Sequence, residues 1–180
     1  MEPRLLKQMR GKTIIDMEEG RKVGVFEDLM ITPGDFRTAA LITSNGGLLN
    51  RKLEGARAED VRVWGHDVIL VANPHVIRPK DDITGIADAI TASNVLKGRS
   101  VISLDGKRLG VADDFYINDQ GMVEAVHLQQ SIGDGPQNRL RMIPISAVRS
   151  MGEDVIVIDM DRMVFAGTDE YITPQANYDR

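Results

Sequence analysis

The 180-residue sequence contains no cysteine, and only 4% of its residues are aromatic. The absence of cysteine excludes disulfide bonds, thiolate metal sites and cysteine nucleophiles, and it is typical of a reducing cytoplasm. No stretch approaches the roughly 18 apolar residues of a membrane-spanning helix. The N-terminal run MEPRLLKQMRGK also lacks the apolar core of a secretory signal. We therefore expect a cytoplasmic protein without membrane insertion.

The composition that is present is typical of a globular protein. Hydrophobic residues make up 42% and charged residues 27% of the chain. Because aromatics are scarce, the core must consist mainly of aliphatic side chains, and branched aliphatics favour strands. The net charge of -5 argues against broad binding to a phosphate backbone, which needs clustered lysine and arginine. Nucleic acid is therefore an unlikely partner except through a ribonucleoprotein.

The chain contains an internal repeat. Residues 10–43 resemble residues 97–129, and residues 59–71 resemble residues 146–158. In the second block, six residues are identical between the copies: Val61, Arg62, Gly65, Asp67, Val68 and Ile69 recur as Val148, Arg149, Gly152, Asp154, Val155 and Ile156. Ordered matches over most of each half predict a tandem duplication.

Each copy has the pattern of short strands joined by tight turns. Apolar residues alternate at Val23, Val25, Leu29 and Ile31, which predicts a half-buried strand with these side chains inward. Turn signals follow at EEG, PGD and WGHD, and the second copy repeats them as LDG, DQG and MGED. Closing a small sheet on itself removes its exposed edges. We therefore predict a mainly β fold of two small antiparallel β-barrels in tandem.

The order of these motifs resembles the PRC-barrel domain. The resemblance lies in the run GK-x-(V/I) followed by G-x-x-(V/I/L)-G-x-x-x-D-x-x-I, and then by an Ile-Pro-Ile step and G-x-D-x-(V/I)-x-(V/I). The second copy fits better, because it carries Ile143-Pro144. The resemblance places one repeat at 6–74 and the other at 95–160. Between them lies a connector at 75–94, and a C-terminal tail follows at 161–180.

The connector has apolar residues at helical spacing, namely Ile83, Ile86, Ala87 and Ile90. This spacing predicts either a short helix or an ordered strap between the repeats.

The family resemblance implies a small barrel used for docking. The family takes its name from the photosynthetic reaction centre H subunit and includes the C-terminal domain of a ribosome maturation factor. These contexts imply protein or ribonucleoprotein assemblies, and the family supplies no catalytic motif to transfer. We therefore predict a noncatalytic interaction or scaffolding module that self-associates, as a homo-oligomer, or docks on a larger cytoplasmic or membrane-peripheral assembly. The alternatives are a ribosome- or RNA-associated factor and an enzyme with a site between the barrels.

Two pairs of equivalent residues are predicted to serve the backbone. Gly24 and Gly110 precede the long strand's middle, where glycine relieves a bulge or permits a close approach. Asp28 and Asp114 follow them by four residues, and aspartate often fixes a turn by accepting backbone hydrogen bonds. A duplicated carboxylate also leaves open a cation site or a proton relay. The structural interpretation is favoured.

No pattern in the sequence predicts a catalytic, cofactor or metal site. His66, His75 and His127 are scattered and lack partners at ligand spacing, so surface or partly buried histidines are expected. The segment 159–170 resembles a calcium loop only superficially, because Val164 occupies the position that requires glycine.

The predicted interaction surface consists of Phe26, Met30 and Tyr116. Strand alternation assigns these residues to the face away from each barrel's interior, where charge is the norm. Clustered exposed apolar groups usually mark a contact surface. We expect these side chains either to meet across the two barrels or to bind a partner or a second copy.

Overall fold

The computed structural model describes residues 4–44, 53–96, 98–129 and 142–163. The chain divides into two compact units. Unit 1 comprises Met1–Val95 together with Ile117–Val123, and unit 2 comprises Leu96–Tyr116 together with Glu124–Arg180. A short piece of the second copy, 117–123, is therefore part of the first unit.

Unit 1 is built on the first repeat and the connector. Its sheet follows the order β6-β7-β2-β3-β4-β5-β8, and β9 pairs with β3 beside this path. Single-turn 3-10 helices at Ala58–Asp60, Pro74–Val76 and Lys80–Asp82 join some of these elements. The strands and helices are β1 (Arg4–Leu5), α1 (Leu6–Met9), β2 (Thr13–Asp16), β3 (Lys22–Ile31), β4 (Thr38–Ser44), β5 (Glu54–Arg57), β6 (Val61–Trp64), β7 (Val68–Val71), β8 (Arg78–Pro79), β9 (Ile90–Thr91) and α2 (Ala92–Leu96).

Unit 2 repeats the central part of this arrangement. Its sheet follows the order β13-β12-β11-β10-β15-β14. The 3-10 turns lie at Ile145–Ala147 and Met160–Arg162. The strands are β10 (Ser100–Ser103), β11 (Arg108–Ile117), β12 (Val123–Leu128), β13 (Met142–Pro144), β14 (Val148–Met151) and β15 (Val155–Ile158).

The strand ladders confirm a mainly β fold of two sheets in tandem. The first and last core strands of each copy pair in parallel, Thr13 with Val68 and Ser100 with Val155, which differs from the predicted all-antiparallel arrangement. Parallel pairing is possible because several strands separate the partners along the chain, which provides the long crossover it requires. In the described residues the hydrogen-bonded paths end at β6 and β8 and at β13 and β14, and no closed barrel is seen among them.

The long strand β3 buries different residues from those expected by simple alternation. Phe26 is buried while Val23 and Val25 are only half-buried, yet Leu29 and Ile31 are fully buried as predicted. The β3–β4 register shifts between Phe26 and Asp28. A bulge inserts one residue and so reverses the inward parity beyond it. The predicted inward position of Val23 and Val25 was therefore wrong, and the bulge is the physical reason.

The connector is an ordered strap rather than a helix at the predicted spacing. After the 3-10 turn at Lys80–Asp82, residues 83–89 form turns and irregular chain, and α2 begins only at Ala92. Ile83 and Ile86 are buried against Met30 and Ile42. Among the described residues, no helix has the length and apolar character needed to cross a membrane.

Candidate functional site

The outer face of the first repeat is covered by its own connector. We call residues 80–89 the strap. Gly55 on β5 lies close to it, because a Cβ there would overlap the Leu41 carbonyl oxygen and lie 3.0 Å from Ile83 Cδ1. The strap and Met30 also line an open cavity of about 550 Å³. The apolar cluster beneath the strap consists of Met30, Ala40, Ile42, Ile83 and Ile86.

Strand pairing identifies the equivalent face in the second repeat. Ala40 pairs with Arg57 in the first copy, and Ala125 pairs with Pro144 in the second. These two pairs are equivalent, so Ala125 corresponds to Ala40. Two residues further along the strand, His127 corresponds to Ile42, and its paired residue Met142 corresponds to Gly55. The repeated G-x-x-x-D-x-x-I run places Tyr116 at the position of Met30. The positions of Met30 and Ile42, which are apolar in the first repeat, thus carry an aromatic and polar side chain, Tyr116 or His127, in the second.

The second face holds a cluster of polar and aromatic side chains. His127 Nδ1 lies 3.3 Å from Asp113 Oδ2, and the two side chains are 15% and 26% exposed. Tyr116 packs edge-on against the imidazole, with ring centroids 5.6 Å apart. Gln129 Nε2 donates to Asp113 Oδ1 at 3.5 Å. We call Asp113, Tyr116, His127, Gln129 and Met142 the Tyr116–His127 face.

The geometry of this cluster determines what it can bind. His127 Nδ1 is buried and makes no hydrogen bond of good geometry within the described residues, so its approach to Asp113 is a close contact and not an aligned hydrogen bond. The imidazole and the carboxylate can hydrogen-bond to polar groups of a partner, and the aromatic ring beside them can contact its apolar groups. Sequence reasoning missed His127, because only the strand register shows that it replaces a core isoleucine.

The first repeat keeps one polar contact at the equivalent position. The Ser44 hydroxyl donates to Glu27 Oε1, and these residues stand where Gln129 and Asp113 stand in the second copy. The cross-strand polar pair is therefore common to both faces. The histidine and the tyrosine distinguish the second face from the first.

The residues of the predicted interaction surface do not share one exposed face. Phe26 is 1% and Met30 is 3% exposed, so the exposure on which that prediction rested is absent at both positions. Phe26 turns inward before the β3 bulge and packs edge-on against Trp64, with ring centroids 6.4 Å apart. Met30 lies beneath the strap. Tyr116 is half-buried and belongs to the Tyr116–His127 face.

The duplicated aspartates lie at buried positions in the long strands. Asp28 is 7% and Asp114 is 6% exposed, and each accepts a backbone hydrogen bond at 2.8 Å from the next residue, Leu29 or Phe115. Asp28 also accepts from the Ser93 hydroxyl and pairs with Arg10 at 3.2 Å. These contacts agree with a role in fixing the local backbone.

The duplicated glycines differ in their surroundings. A Cβ at Gly24 would overlap Thr43 Oγ1, the atom that accepts the Val25 amide at 3.0 Å. A Cβ at Gly110 would meet Leu128 Cδ1 at 3.5 Å, which is an ordinary contact distance. A close approach of neighbouring atoms thus requires glycine at Gly24.

A second polar cluster closes the turn after β6. Arg4 donates to the carbonyls of Trp64 and Gly65, and Lys12 donates to the carbonyls of Gly65 and His66. Burial, and then the neighbouring Arg4 charge, lower the pKa of Lys12. Since both cations are occupied by backbone carbonyls, this cluster stabilises the turn. In the described ranges no group of three or more acidic or histidine side chains is placed to hold a metal ion.

Comparison with known families agrees with this architecture. The family model described as PRC-barrel domain matches residues 1–76 and 90–163, as two copies in tandem. No curated protein matches the sequence.

Proposed function

Since the chain belongs to the PRC-barrel domain family, we propose that it is a noncatalytic interaction module that docks on a larger assembly of proteins. The PRC-barrel is a general β-barrel module, and its family is generally noncatalytic. Docking through a folded surface also fits the acidic net charge of -5, which disfavours a phosphate backbone as the main partner. We further propose a cytoplasmic location and self-association as a homo-oligomer.

The observation that supports this proposal is the difference between the two outer faces. In the first repeat, Met30 and Ile42 are 3% exposed beneath the strap. In the second, Tyr116 and His127 are half-buried, and His127 lies on β12 beside β13, an end strand of the described sheet. Aromatic residues are enriched in the energetically dominant parts of protein interfaces. We therefore propose the Tyr116–His127 face as the docking surface.

Affinity capture from native lysate tests this proposal. The double variant Tyr116→Ala with His127→Ala should retain less of the captured protein than the parent, and circular dichroism should confirm that it is folded. Leu104→Ala is the matched control, because Leu104 is 60% exposed in a turn of the same unit. Equal capture by the parent and the double variant would remove the face from the interface.

The ribonucleoprotein alternative is tested in the same lysate. Nuclease treatment should leave capture unchanged if the partner is a protein. Loss of capture after nuclease, together with cosedimentation with ribosomal particles that weakens as salt rises, would favour an RNA-associated factor instead. Sedimentation across a concentration series separately tests self-association, since the mass of a homo-oligomer depends on concentration.

A further inference from the structure

We propose that Lys12 is a modification site, at which the side-chain amine is acylated by activated carboxylates of the acyl phosphate class. The inference goes beyond the proposed docking function and does not rest on it. It rests on the polar side chains around the turn between β6 and β7, which we call the Lys12 cluster and which comprise Arg4, Lys12, His66 and Asp67.

Two backbone carbonyls of the turn fix the position of the Lys12 amine. Lys12 Nζ donates to the Gly65 carbonyl at 3.4 Å and also to the His66 carbonyl. A lysine ammonium has three N–H donors, so its neutral form keeps two of them and gains a lone pair. The two carbonyls can accept both remaining hydrogens, which leaves the lone pair for a reaction. Because the contact with His66 is exposed to solvent, a small acyl donor can reach the nitrogen.

A second cation lies beside this amine. Arg4 donates to the Gly65 carbonyl, which also accepts from Lys12, and to the Trp64 carbonyl at 2.7 Å. The shared acceptor brings the guanidinium close to the amine, and a neighbouring like charge disfavours the ammonium form. A lysine next to another cationic group is one of the arrangements that activate an amine as a nucleophile.

The balance of the surrounding charges favours the neutral amine. Burial first, and then the charge of Arg4, lower the pKa of Lys12. Asp67, whose carboxylate lies 3.1 Å from His66 Nδ1, acts in the opposite direction and raises it. Since the net direction is a lowered pKa, a larger fraction of Lys12 is neutral near pH 7 than of an ordinary lysine.

The reaction needs the neutral amine and the acyl phosphate alone. The lone pair of Lys12 Nζ attacks the acyl carbon, a C–N bond forms, and the C–O bond to the phosphate breaks. The phosphate leaves with the electron pair of that bond, and the nitrogen releases one proton to water. The amide product is uncharged and has a single N–H, so either the Gly65 or the His66 carbonyl loses its lysine donor.

The second repeat has different residues at the two cationic positions. When the repeats are aligned, Lys12 corresponds to Arg99 and Arg4 corresponds to Thr91. Arginine stays protonated and offers no amine lone pair for acylation. The reactive amine is therefore specific to the first copy.

Labelling of the full chain with acetyl phosphate tests the proposal. At a low extent of reaction, mass spectrometry of the digested protein gives the acetylation rate at each lysine. Lys22 is the internal reference, because it is an exposed lysine at the start of β3. At about pH 7.5, Lys12 should react at least about threefold faster than Lys22, since more of its amine is neutral. Equal or slower reaction at Lys12 would overturn the proposal.

The pH dependence of the two rates separates activation of the amine from its accessibility. As the pH rises, the rate at Lys12 should level off at a lower pH than the rate at Lys22, because the lysine with the lower pKa loses its proton first. If the two rates level off at the same pH, Lys12 is merely accessible and the proposal is wrong.

Two substitutions should change the Lys12 rate in opposite directions. Asp67→Asn removes the charge that favours the ammonium form, so it should speed acetylation by about twofold. Asp67 is 93% exposed, so this variant is expected to keep its fold. Arg4→Leu removes the neighbouring cation and should slow acetylation, provided that circular dichroism shows the native fold. Asp154→Asn is the matched control, because Asp154 is the corresponding exposed residue of the second repeat.

The comparison of Asp67→Asn with Asp154→Asn decides the matter even if Arg4→Leu does not fold. Faster acetylation of Lys12 in the first variant alone would support the role of the Lys12 cluster. The same rate in both variants would contradict it, because the charge nearest the amine would then have no effect on its reactivity. None of these measurements involves a docking partner, so this proposal and the proposed function can fail independently.

Discussion

The two repeats share their strand ladders and differ in what lies on their outer faces. Both place a parallel pair between their first and last core strands, and both shift register in the first hairpin, between Ile14 and Ile15 and between Val101 and Ile102. Over the first repeat the connector packs two isoleucines, whereas the equivalent face of the second holds Tyr116 and His127. Backbone pairing has thus been kept while the surface chemistry has diverged.

This difference indicates which residues of a duplicated fold are candidates for a functional role. Residues identical in both copies, such as Asp28 and Asp114, contact the backbone of their own strand. Residues that differ at equivalent positions, such as Ile42 and His127, lie on the face where the copies have different surroundings. Identity between the copies therefore indicates folding requirements, and divergence indicates a specialised surface.

The largest expected effect concerns the hairpin tip of the second copy, which belongs to unit 1. Gly121 has φ +76°, a Cβ there would overlap the Trp64 ring, and the Thr38 hydroxyl donates to the Gly121 carbonyl at 2.5 Å. Gly121→Ala should lower the free energy of unfolding by about 3 kcal/mol, combining backbone strain with overpacking. Urea denaturation measures the loss.

The control for this prediction isolates the backbone contribution. Gly34 has φ +98° with open space around its Cβ position, so Gly34→Ala should cost only about 1 kcal/mol. If Gly34→Ala and Gly121→Ala lose the same stability, the Trp64 contact contributes nothing, and the tip is not tightly packed into unit 1.

The second prediction tests whether the strap stabilises the first repeat by covering its outer face. Ile83 is 7% exposed within the apolar cluster. Ile83→Ala should lower the free energy of unfolding by about 2 kcal/mol, since truncating a buried isoleucine removes apolar contact and leaves a cavity. Ile90→Ala is the control, because Ile90 is 40% exposed. Equal, small losses in the two variants by urea denaturation would show that the strap does not stabilise the sheet.

The third prediction compares equivalent glycines in the two copies. A Cβ at Gly65 would overlap the Val68 carbonyl, whereas one at Gly152 would lie 3.5 Å from the Val155 carbonyl. Gly65→Ala should therefore lower the free energy of unfolding by about 1 to 2 kcal/mol, and Gly152→Ala should be nearly neutral. Thermal unfolding of both variants checks the difference. A loss at Gly152 as large as that at Gly65 would show that the two turns are under the same constraint.

Much of the fold could be predicted because the duplication repeats its own turn signals. Gly20 and Gly106 recur in the turns after the first core strand, and both have positive φ. The inward residues of β3 could not be predicted by alternation, because the bulge between Phe26 and Asp28 depends on pairing with β4. The position of Phe26 was therefore assigned to the wrong face.

The candidate site was less accessible from the sequence. His127 lies on the strand after the one that carries Asp113 and Tyr116, and only the pairing of β11 with β12 brings the three side chains together. Helical spacing at Ile83 and Ile86 left a short helix and an ordered strap both open, because two apolar residues can reach a sheet from an irregular segment as well as from a helix. Identifying the site requires the pairing between strands, which local sequence patterns do not specify.

The smallest expected effect is a pH dependence common to turns of both copies. Hydrogen bonds from the Thr32 hydroxyl and the Arg37 amide lower the pKa of Asp35, and those from Ser103 and then Lys107 lower the pKa of Asp105. A lowered pKa in the folded state means that the contribution to stability is present above the unfolded value of about 3.9. It is lost as the pH falls through the folded value.

Asp35→Asn and Asp105→Asn should each weaken the dependence of the melting temperature on pH below about pH 4, where protonation would otherwise remove the carboxylate's contribution. The effect should be small because both carboxylates are exposed to solvent, which screens their interactions. Thermal unfolding measured from about pH 2 to pH 6 covers the relevant range. Glu59→Gln is the control, because its pair with Arg57 is an ordinary exposed one at 2.8 Å. If both aspartate variants track the parent through the acid range, the two turns gain no stability from their charged carboxylates, and the hydrogen bonds of these carboxylates serve geometry alone.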